Sequence, residues 1–472
     1  MAPATPAKRK PPMKVACEGR VKEDPAHKVA HDAISFDAVL DRLLLALGSP
    51  LAGEAAVASA ASEEGSWEDA SGEAEATSGA GDAGGPGGAP ELDLASALAS
   101  ASGRAMLAGA AVGLGRAVTP AQVLARAKVV ASRRPTLDAL RAAPGVTQRT
   151  PEWYEARQGM VTASDVAQAL GCAKFGNQRT FFQKKCGAAE EQAAFDGSIP
   201  PLKWGVMFEP VAQAVYTAVN GGMRVHEFGL LRHKHPALAH VGASPDGITD
   251  AGVMLEIKCP WRRRIVEGEV PLQYYYQIQA QLAVCGLDEC DYFECEFFEV
   301  DGPEDDQWVA AEAEAGLPHG RGLFLEDGPG PSFSYPPGVV GGTREELEAW
   351  AEDASANAVL RSSISDDGAG VGVCARPPFI PRRHWWVLRK RCNSRVPYDL
   401  EFCDDMFSRL GRVWERTLLY RGDRARYLEE VGAATPGAAP ASSSSSTSFG
   451  AFGPVGTADK LTTGGYAFVD DP

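Results

Sequence analysis

The sequence predicts an α/β fold in which helices flank a mixed, mostly antiparallel sheet, and three observations lead to this expectation. The densest alternation of strand-like and helix-like apolar patterns lies in residues 119–300. Residues 238–259, LAHVGASPDGITDAGVMLEIKC, form two apolar strands separated by TDAG, whose Asp and Gly favour turns. Segments with helical spacing precede and follow this hairpin, so helices are expected to cover the sheet.

The composition indicates one substantial globular body with long appendages. Of the 472 residues, 44% are hydrophobic and nine are Trp, which is enough for a buried core. No run of about 18 apolar residues is present, and the opening MAPATPAKRKPP lacks the apolar stretch of a secretory signal. We therefore expect an intracellular protein without a membrane span, and its compartment stays open between the nucleus, a virus-infected cell compartment and an organelle.

The first 118 residues are expected to be mostly disordered. Their basic start contains KRK at 8–10, which is typical either of a nuclear import signal or of a solvated tail. Apolar spacing over 32–48 predicts a short amphipathic helix that could dock on the core or on a partner. Residues 49–118 are rich in Ala, Gly, Ser and Glu, and are too poor in large apolar side chains to offset the entropy of ordering.

The chain beyond residue 300 divides by composition into three parts. They are an acidic Gly/Pro-rich insertion or long loop at 301–345, a closing region at 346–430, and a disordered tail at 431–472. The closing region is expected to hold a helix at 346–361, a strand at 384–390 and a helix at 399–421. Its tryptophans, Trp385, Trp386 and Trp414, are expected in the core rather than as platforms for base stacking.

A formal charge of −16 argues against a surface that is basic throughout, but charge is distributed unevenly. Residues 54–97 carry ten acids and residues 288–314 carry twelve, with no Lys or Arg in either. Residues 376–421 carry eleven Lys or Arg against five acids, a local balance of +6. Basic surface for a polyanionic partner is therefore available locally.

Two acids and a lysine on the hairpin are the residues that indicate a chemical function. With the turn centred near Ala251, Asp246 and Glu256 are equidistant from it and should face each other across the ladder. Facing carboxylates destabilise each other unless a cation lies between them. Since side chains alternate along a strand, Lys258 shares the face of Glu256, while Leu255 and Ile257 pack the other face.

Oxygen ligands without His or Cys favour Mg²⁺ or Mn²⁺, which suits phosphodiester hydrolysis. A metal would polarise the phosphate while Lys258 orients or deprotonates the attacking water. A third carboxylate is expected from Glu209 in WGVMFEPVAQAVY, a helix whose Trp204, Phe208, Val211 and Val215 should pack on the sheet.

These residues resemble the PD-(D/E)XK nuclease superfamily, here Pro245-Asp246 and Glu256-Ile257-Lys258, and in particular its lambda-exonuclease or YqaJ-like viral recombinase branch. The resemblance covers about 148–300. It implies a restriction-endonuclease-like core with two Mg²⁺ ions per site, held by Asp246, Glu256, the Ile257 carbonyl and Glu209. The implied activity is that of a DNA exonuclease acting 5′ to 3′ on linear duplex ends.

The family pattern also implies a grip on a 5′-terminal phosphate. In TPEWYEARQGMVTASDVAQALG it assigns this role to Arg157 and Ser164, with Ser244 as a further contact. Thr162 or Ser164 could cap the following helix, whose N-terminal amides attract anions. The alternative is an ordinary Thr-x-x-Asp capping box with Arg157 in a surface ion pair.

Residues after the hairpin supply further candidates. PLQYYYQIQAQLAVCG predicts a helix with Tyr274, Gln277 and Gln281 on one face, and the family places the Gln of a YxxQ element, here Gln277, beside the metal. A polar stripe on a solvent-facing helix would give the same pattern. Arg262, Arg263 and Arg264 could line a DNA channel, although a solvated basic loop is the alternative. Tyr274 is a further candidate for contact with DNA.

Several alternatives to an exonuclease stay open. A structure-specific or restriction-like endonuclease would share the metal site without a 5′-phosphate pocket, and a DNA-binding protein could keep the fold without catalysis. The N-terminal extension could recruit a single-strand annealing protein, and the oligomeric state is not determined. The thiols of Cys285, Cys290 and Cys295 could hold a cluster or zinc, but packing at a helix end and on a strand is the expectation.

Overall fold

A computed structural model describes residues 36–47, 94–143, 145–174, 176–187, 200–313, 320–328, 332–340, 342–362, 364–365, 372–373 and 380–432. The helices are α1 Phe36–Ala46, α2 Leu94–Ala99, α3 Ala101–Leu114, α4 Pro120–Ala142, α5 Pro151–Gln158, α6 Val166–Ala169, α7 Gln178–Cys186, α8 Pro200–Val219, α9 Leu272–Cys285, α10 Asp306–Ala313, α11 Arg344–Ser362, α12 Leu400–Gly422 and α13 Arg424–Glu430. The strands are β1 Val161–Thr162, β2 Val225–His226, β3 Leu231–Arg232, β4 Val241–Ala243, β5 Gly247–Thr249, β6 Met254–Lys258, β7 Glu289–Val300, β8 Arg321–Glu326, β9 Phe333–Ser334, β10 Ile364–Ser365, β11 Gly372–Val373 and β12 Arg382–Pro397.

The central sheet follows the order β2-β5-β6-β7-β12-β8-β9. Only β6 and β7 are parallel within it, and every other neighbouring pair is antiparallel. A small sheet, β1-β4-β3, and the β10-β11 pair lie outside it. The predicted fold class, a mixed and mostly antiparallel sheet flanked by helices, is confirmed.

The parallel pair exists because α9 crosses over between β6 and β7. Parallel neighbours cannot be joined by a tight turn and need such a connection. Gly286 ends α9 with a φ of 70°, a conformation that is costly for other residues, and the chain then enters β7. This crossover positions α9 over one face of β6 and β7.

The two faces of β6 are covered by different helices. Leu255 and Ile257 pack in an apolar cluster with Phe208 and Val211 of α8. Met254 belongs to a second cluster that contains the buried side of α9. The helix predicted around Glu209 is confirmed, and the side chains expected on its buried face, Trp204, Phe208, Val211 and Val215, are all buried.

The predicted hairpin is confirmed with the expected register. Gly247 pairs with Leu255 and Ile248 with Met254, so the turn centres on residue 251. Gly252 adopts a φ of 67°, and a β-carbon there would lie 2.7 Å from the Cβ of Arg133. Only glycine satisfies both demands, which explains the TDAG turn in physical terms.

The N-terminal helix docks on the chain itself rather than leaving its apolar face free. Within the predicted span 32–48, the structure describes 36–47 and shows α1 there. Its residues Leu40 and Leu44 are buried in a cluster with Val123 and Val130 of α4. The Asp41 carboxylate receives the Nε–H of Arg126 at 2.7 Å, so a buried ion pair reinforces this contact.

The expectation of disorder over 49–118 was wrong for residues 94–114. These residues form α2 and α3, and Leu98 and Leu107 are buried in the cluster that α1 and α4 share. Alanine is the best helix former, so a few buried leucines are enough to order this segment. Residues 48–93 lie outside the described residues, as does the predicted tail at 433–472.

The expectation of a loop or insertion over 301–345 was also wrong. The span contains α10, β8 and β9, and β8 pairs with β12 inside the central sheet. Its side chains Leu323, Phe324 and Leu325 are fully buried. The apolar run of β8 is only the three residues 323–325 and stands between Gly-rich stretches, so composition alone did not reveal a core strand.

The predicted elements after residue 345 are present. The helix expected at 346–361 corresponds to α11, and the one at 399–421 corresponds to α12. The strand expected at 384–390 is longer and spans all of β12. Within it Trp385 and Trp386 are buried as expected, whereas Trp414 is partly buried and stacks on His240 with ring centroids 5.2 Å apart.

The cysteines lie where packing predicts them. Cys285 is at the end of α9, and Cys290 and Cys295 are buried on β7. In the described part of the chain, none of the helices combines the length and the apolar character needed to cross a membrane.

Candidate active site

The hairpin brings Asp246 and Glu256 together as its register requires. Asp246 lies one residue before β5, and continuing the Gly247–Leu255 pairing by one step places it opposite Glu256. Oδ2 of Asp246 accepts the backbone N–H of Ile257 at 2.7 Å. The contact holds the half-buried Asp246 beside β6, the strand that carries Glu256 and Lys258.

The carboxylate of Glu256 is fully buried and held from three directions. Gln277 donates to Oε1 at 2.7 Å, Gln281 donates to Oε2 at 2.8 Å, and Lys258 Nζ lies 2.8 Å from Oε1. A buried carboxylate is tolerated only with such partners. The arrangement orients Glu256 and leaves little freedom for its side chain.

Helix α9 is therefore not a solvent-facing helix with a polar stripe. Gln277 is 7% exposed and Gln281 is 1% exposed. Gln281 was absent from the predicted site, although its spacing of four residues from Gln277 placed both on one helix face. Its contact with Glu256 depends on the crossover of α9, which the local sequence does not specify.

Lys258 lies between the acids and an aromatic ring. Its side chain is 7% exposed, and Nζ stands 5.0 Å from the ring centroid of Tyr274. Tyr274 itself is 1% exposed, so it packs beneath the lysine rather than offering an open face to nucleic acid. This position corrects its predicted role as a direct contact.

The electrostatics of the pair are those of crowded carboxylates. Burial, followed by the negative charges of Glu256 and Glu209, raises the pKa of Asp246 well above its usual range. Lys258 and the N–H of Ile257 act in the opposite direction but do not prevail. The repulsion is of the kind that a bound cation relieves.

Glu209 lies at the edge of this pair rather than within it. Its side chain is 34% exposed, and Oε2 accepts Nη2 of Arg149 at 2.8 Å. The reason is the layer order: α8 packs on the Leu255 face of β6, whereas Glu256 points to the α9 face. Arg149 adopts a φ of 65°, a strained conformation for this residue, as it makes the pair.

The structure assembles two converging acids instead of three. Among the residues that it describes, no three His, Cys, Asp or Glu side chains are grouped closely enough to hold one metal ion. For Ile257 the contact seen is the N–H to Asp246, and its carbonyl as a ligand remains a prediction. The donors that face each other are carboxylate oxygens of Asp246 and Glu256.

The residues predicted to grip a phosphate lie together at the end of α5. Nη2 of Arg157 donates to Oγ of Ser164 at 3.1 Å, and its guanidinium carbon is 4.2 Å from the ring centroid of Trp153. Nε1 of Trp153 in turn donates to Oγ of Ser244 at 3.0 Å. The Trp153 indole thus contacts Arg157 directly and links it to Ser244, which lies in the loop between β4 and β5.

The capping box is also present, and it engages the side chain of Thr162. Its hydroxyl donates to Asp165 at 2.6 Å, and Thr162 is 0% exposed, so it faces the interior rather than a ligand. Lys184 and Lys185 lie 2.7 and 2.8 Å from the same carboxylate. Burial opposes ionisation, but these two charges hold the pKa of Asp165 well below its usual range.

A protein-family model for the YqaJ-like viral recombinase domain matches residues 152–288. Every site residue predicted from the sequence lies inside this domain, from Arg157 to Gln277. The predicted resemblance to this branch is confirmed over that segment.

The chain is similar to a viral protein and to two solved structures of one exonuclease, LHK-Exo. An uncharacterized protein, R354, of Acanthamoeba polyphaga mimivirus is 29% identical over 331 residues, which is 61% of this chain and 56% of the relative. The chain thus spans little more than half the length of that protein. The solved structure of LHK-Exo in complex with dAMP is 19% identical with a TM-score of 0.34 and covers 60% of this chain and 100% of its own. An alkaline exonuclease (LHK-Exo) from Laribacter hongkongensis is 18% identical with a TM-score of 0.35 at the same coverage.

The arginines that follow β6 have different environments. Arg262 is exposed, with its guanidinium carbon 3.9 Å from the ring centroid of Trp261. Arg263 is drawn inward, where it pairs with the buried carboxylate of Glu294 on β7. The structure therefore supports a solvated position for Arg262 and an anchored one for Arg263.

Proposed function

We propose that this chain is a metal-dependent DNA exonuclease that degrades linear duplex DNA from a 5′ end. The observation that carries the proposal is the opposed pair of Asp246 and Glu256 with Lys258 Nζ 2.8 Å from Glu256, inside a segment that matches the YqaJ-like viral recombinase domain. Two acids and a lysine on adjacent strand positions suit phosphodiester hydrolysis. The match to a recombinase domain supports DNA as the substrate.

The donor set fits a hard divalent cation. Asp246 and Glu256 offer carboxylate oxygens, and burial together with the charges of Glu256 and Glu209 raises the pKa of Asp246. These two residues would hold Mg²⁺ or Mn²⁺, with the Ile257 carbonyl and Glu209, directly or through water, as further donors to a pair of ions. When bound, the metal would polarise the phosphate and lower the pKa of a coordinated water.

The chain's own residues would do the remaining tasks. Gln277 and Gln281 donate to the two oxygens of Glu256, which orients that carboxylate. Lys258 would orient the attacking water and offset charge that develops on the phosphate. Because it is nearly buried, its ammonium group acts with little screening by solvent.

Recognition of a 5′-phosphate would fall to the residues around Trp153. Arg157 supplies a planar set of donors that suits a phosphate, and Ser164 and Ser244 add hydroxyl groups. The bonds that these residues now make to one another keep them together in one place. An endonuclease would have no use for this group, which favours an exonuclease that starts at phosphorylated ends.

The proposal is tested with end-labelled linear duplexes, with and without a 5′-phosphate, alongside a covalently closed circle of the same sequence. We expect Mg²⁺-dependent degradation of the linear duplex, faster with the 5′-phosphate, and an intact circle. Cleavage of the circle would identify an endonuclease instead. A purified protein that digests none of these substrates in Mg²⁺ or Mn²⁺ would point to a DNA-binding protein without catalysis.

A further inference from the structure

Glu294 is a buried acid beside the catalytic candidates that none of the roles above uses. It pairs in parallel register with Lys258 on the neighbouring strand, so both side chains point to the α9 face of the sheet. The residue is 1% exposed. Acids at such positions are rare unless a partner or a function retains them.

Its two carboxylate oxygens have unequal surroundings. Oε1 accepts the hydroxyl of Tyr292 at 2.9 Å and also pairs with Nη2 of Arg263. Oε2 is buried without a hydrogen-bond partner.

Arg263 is the residue that this carboxylate controls. Its neighbours on the same loop, Arg262 and Arg264, are exposed, whereas the Arg263 side chain is only 15% exposed. Its guanidinium carbon lies 5.7 Å from the ring centroid of Tyr274, and Lys258 Nζ lies 5.0 Å from the same centroid. Two cations therefore approach one tyrosine ring, and Glu294 is what draws the second one there.

We infer that Glu294 is a positioning residue that fixes Arg263 as a second cation of the site, next to Lys258, where it contacts a phosphate of the bound DNA strand. The inference rests on the proposed function. An arginine that is paired with a carboxylate can also donate to a phosphate, because a guanidinium has five N–H donors. Without the carboxylate, Arg263 would turn outward as Arg262 and Arg264 do.

The direction in which DNA affinity changes when the charge of Glu294 is removed shows whether Glu294 positions Arg263 or has no role in binding. Glu294→Gln keeps the shape of the side chain but removes its charge. Taking a negative charge from a DNA-binding site ordinarily strengthens binding. If Glu294 positions Arg263, the variant should instead bind a 5′-phosphorylated duplex about tenfold more weakly in EDTA, where no turnover occurs. The reason is that a displaced Arg263 no longer contacts the phosphate. Its kcat in Mg²⁺ should fall by at least a similar factor.

Glu296→Gln is the matched control. It makes the same chemical change two residues later on β7, where Glu296 is half-buried and pairs in register with Lys390. We expect unchanged or slightly tighter DNA binding and unchanged turnover. Urea unfolding of each variant monitors the fold.

A cycle with Arg263→Gln completes the test and remains usable if Glu294→Gln folds poorly. Because Glu294 acts through Arg263, the double variant should be no weaker in binding or kcat than Arg263→Gln alone. Fully multiplicative losses, tighter binding by Glu294→Gln, or wild-type behaviour of Arg263→Gln would each overturn the inference while the nuclease assignment stands. An unsubstituted protein that is inert towards DNA would overturn both.

Discussion

Gln281 donates its side-chain amide to Oε2 of Glu256 at 2.8 Å, and both residues are almost completely buried. Gln277 makes the matching bond to the other oxygen at 2.7 Å. The two amides come from one face of α9, which the crossover connection brings over β6. Glu256 is therefore oriented by the helix that follows it in sequence, and the site depends on that helix as much as on the hairpin.

Replacement of this glutamine by an apolar residue should impair turnover. Gln281→Leu leaves one oxygen of a buried carboxylate without its donor, which costs roughly 1–3 kcal/mol of stability. Because the freed carboxylate can rotate or take up a proton, we expect kcat for linear duplex DNA to fall about tenfold or more, given the strong dependence of catalysis on positioning. Steady-state digestion of a labelled duplex measures the loss.

Gln279→Leu is the control for that substitution. Gln279 lies on the same helix, is 0% exposed and makes buried hydrogen bonds to the carbonyl of Pro397 and the N–H of Asp399. Its loss should lower the free energy of unfolding by a comparable amount but preserve kcat. Equal loss of activity in both variants would contradict a specific role for Gln281.

Arg157→Gln should reduce the preference for phosphorylated ends. The guanidinium lies over Trp153 and reaches Ser164, and its removal takes a bidentate donor from the proposed phosphate group. We expect the ratio of rates on 5′-phosphorylated and unphosphorylated duplexes to fall towards one, while digestion of unphosphorylated ends changes little. Arg141→Gln, an exposed change on α4, should leave the ratio as it is. A preserved ratio in Arg157→Gln would exclude this residue from end recognition.

The ionic contacts that hold α1 should make stability depend on acid. Glu289 accepts from Arg126 at 2.8 Å and from Arg395 at 2.6 Å. Burial opposes its ionisation, but the hydrogen bond from Arg126 and the charge of Arg395 prevail and hold the pKa of Glu289 below its usual range. A carboxyl with a depressed pKa contributes stability above its unfolded value of about 4.3 and loses it as the pH falls further.

Urea unfolding at pH 7 and at about pH 3.5, chosen to lie below the unfolded pKa of Glu, tests that dependence. The unsubstituted protein should lose stability between the two, whereas Glu289→Gln should already be less stable at pH 7 and lose less on acidification. Asp41→Asn should weaken the attachment of α1 in the same way, because it removes the charge that Arg126 faces at 2.7 Å. An unchanged pH dependence in Glu289→Gln would show that other carboxyls set it.

The hairpin could be predicted from sequence because its determinants are local. The turn at residue 251, the alternation along β6 and the glycine at 252 together fix the register that opposes Asp246 and Glu256. The helical spacing of α9 is local too, so Gln277 could be placed on one face. What that face would contact depends on the crossover between β6 and β7.

The features that sequence analysis missed depend on long-range packing. Glu209 was predicted as a third metal donor, and the sequence did not reveal that its carboxylate pairs with Arg149 while its charge acts on Asp246. The short apolar run of β8 has the composition of a loop, and only its pairing with β12 shows that it is a core strand. Glu294 was not predicted as a site residue, because it lies in an acidic stretch and only the parallel pairing of β6 with β7 brings it beside Lys258.

The most direct test of the account is the digestion of a 5′-phosphorylated linear duplex in Mg²⁺ by Lys258→Ala. Lys258 lies 2.8 Å from Glu256 and is nearly buried, so its removal takes the ammonium group from the proposed reaction centre. The account predicts a rate at least about a hundredfold lower, within the range typical for loss of one acid–base or electrostatic group, with an unaltered fold. Lys128→Ala, an exposed change on α4, should retain full activity. Undiminished digestion by Lys258→Ala would contradict the assignment of this site.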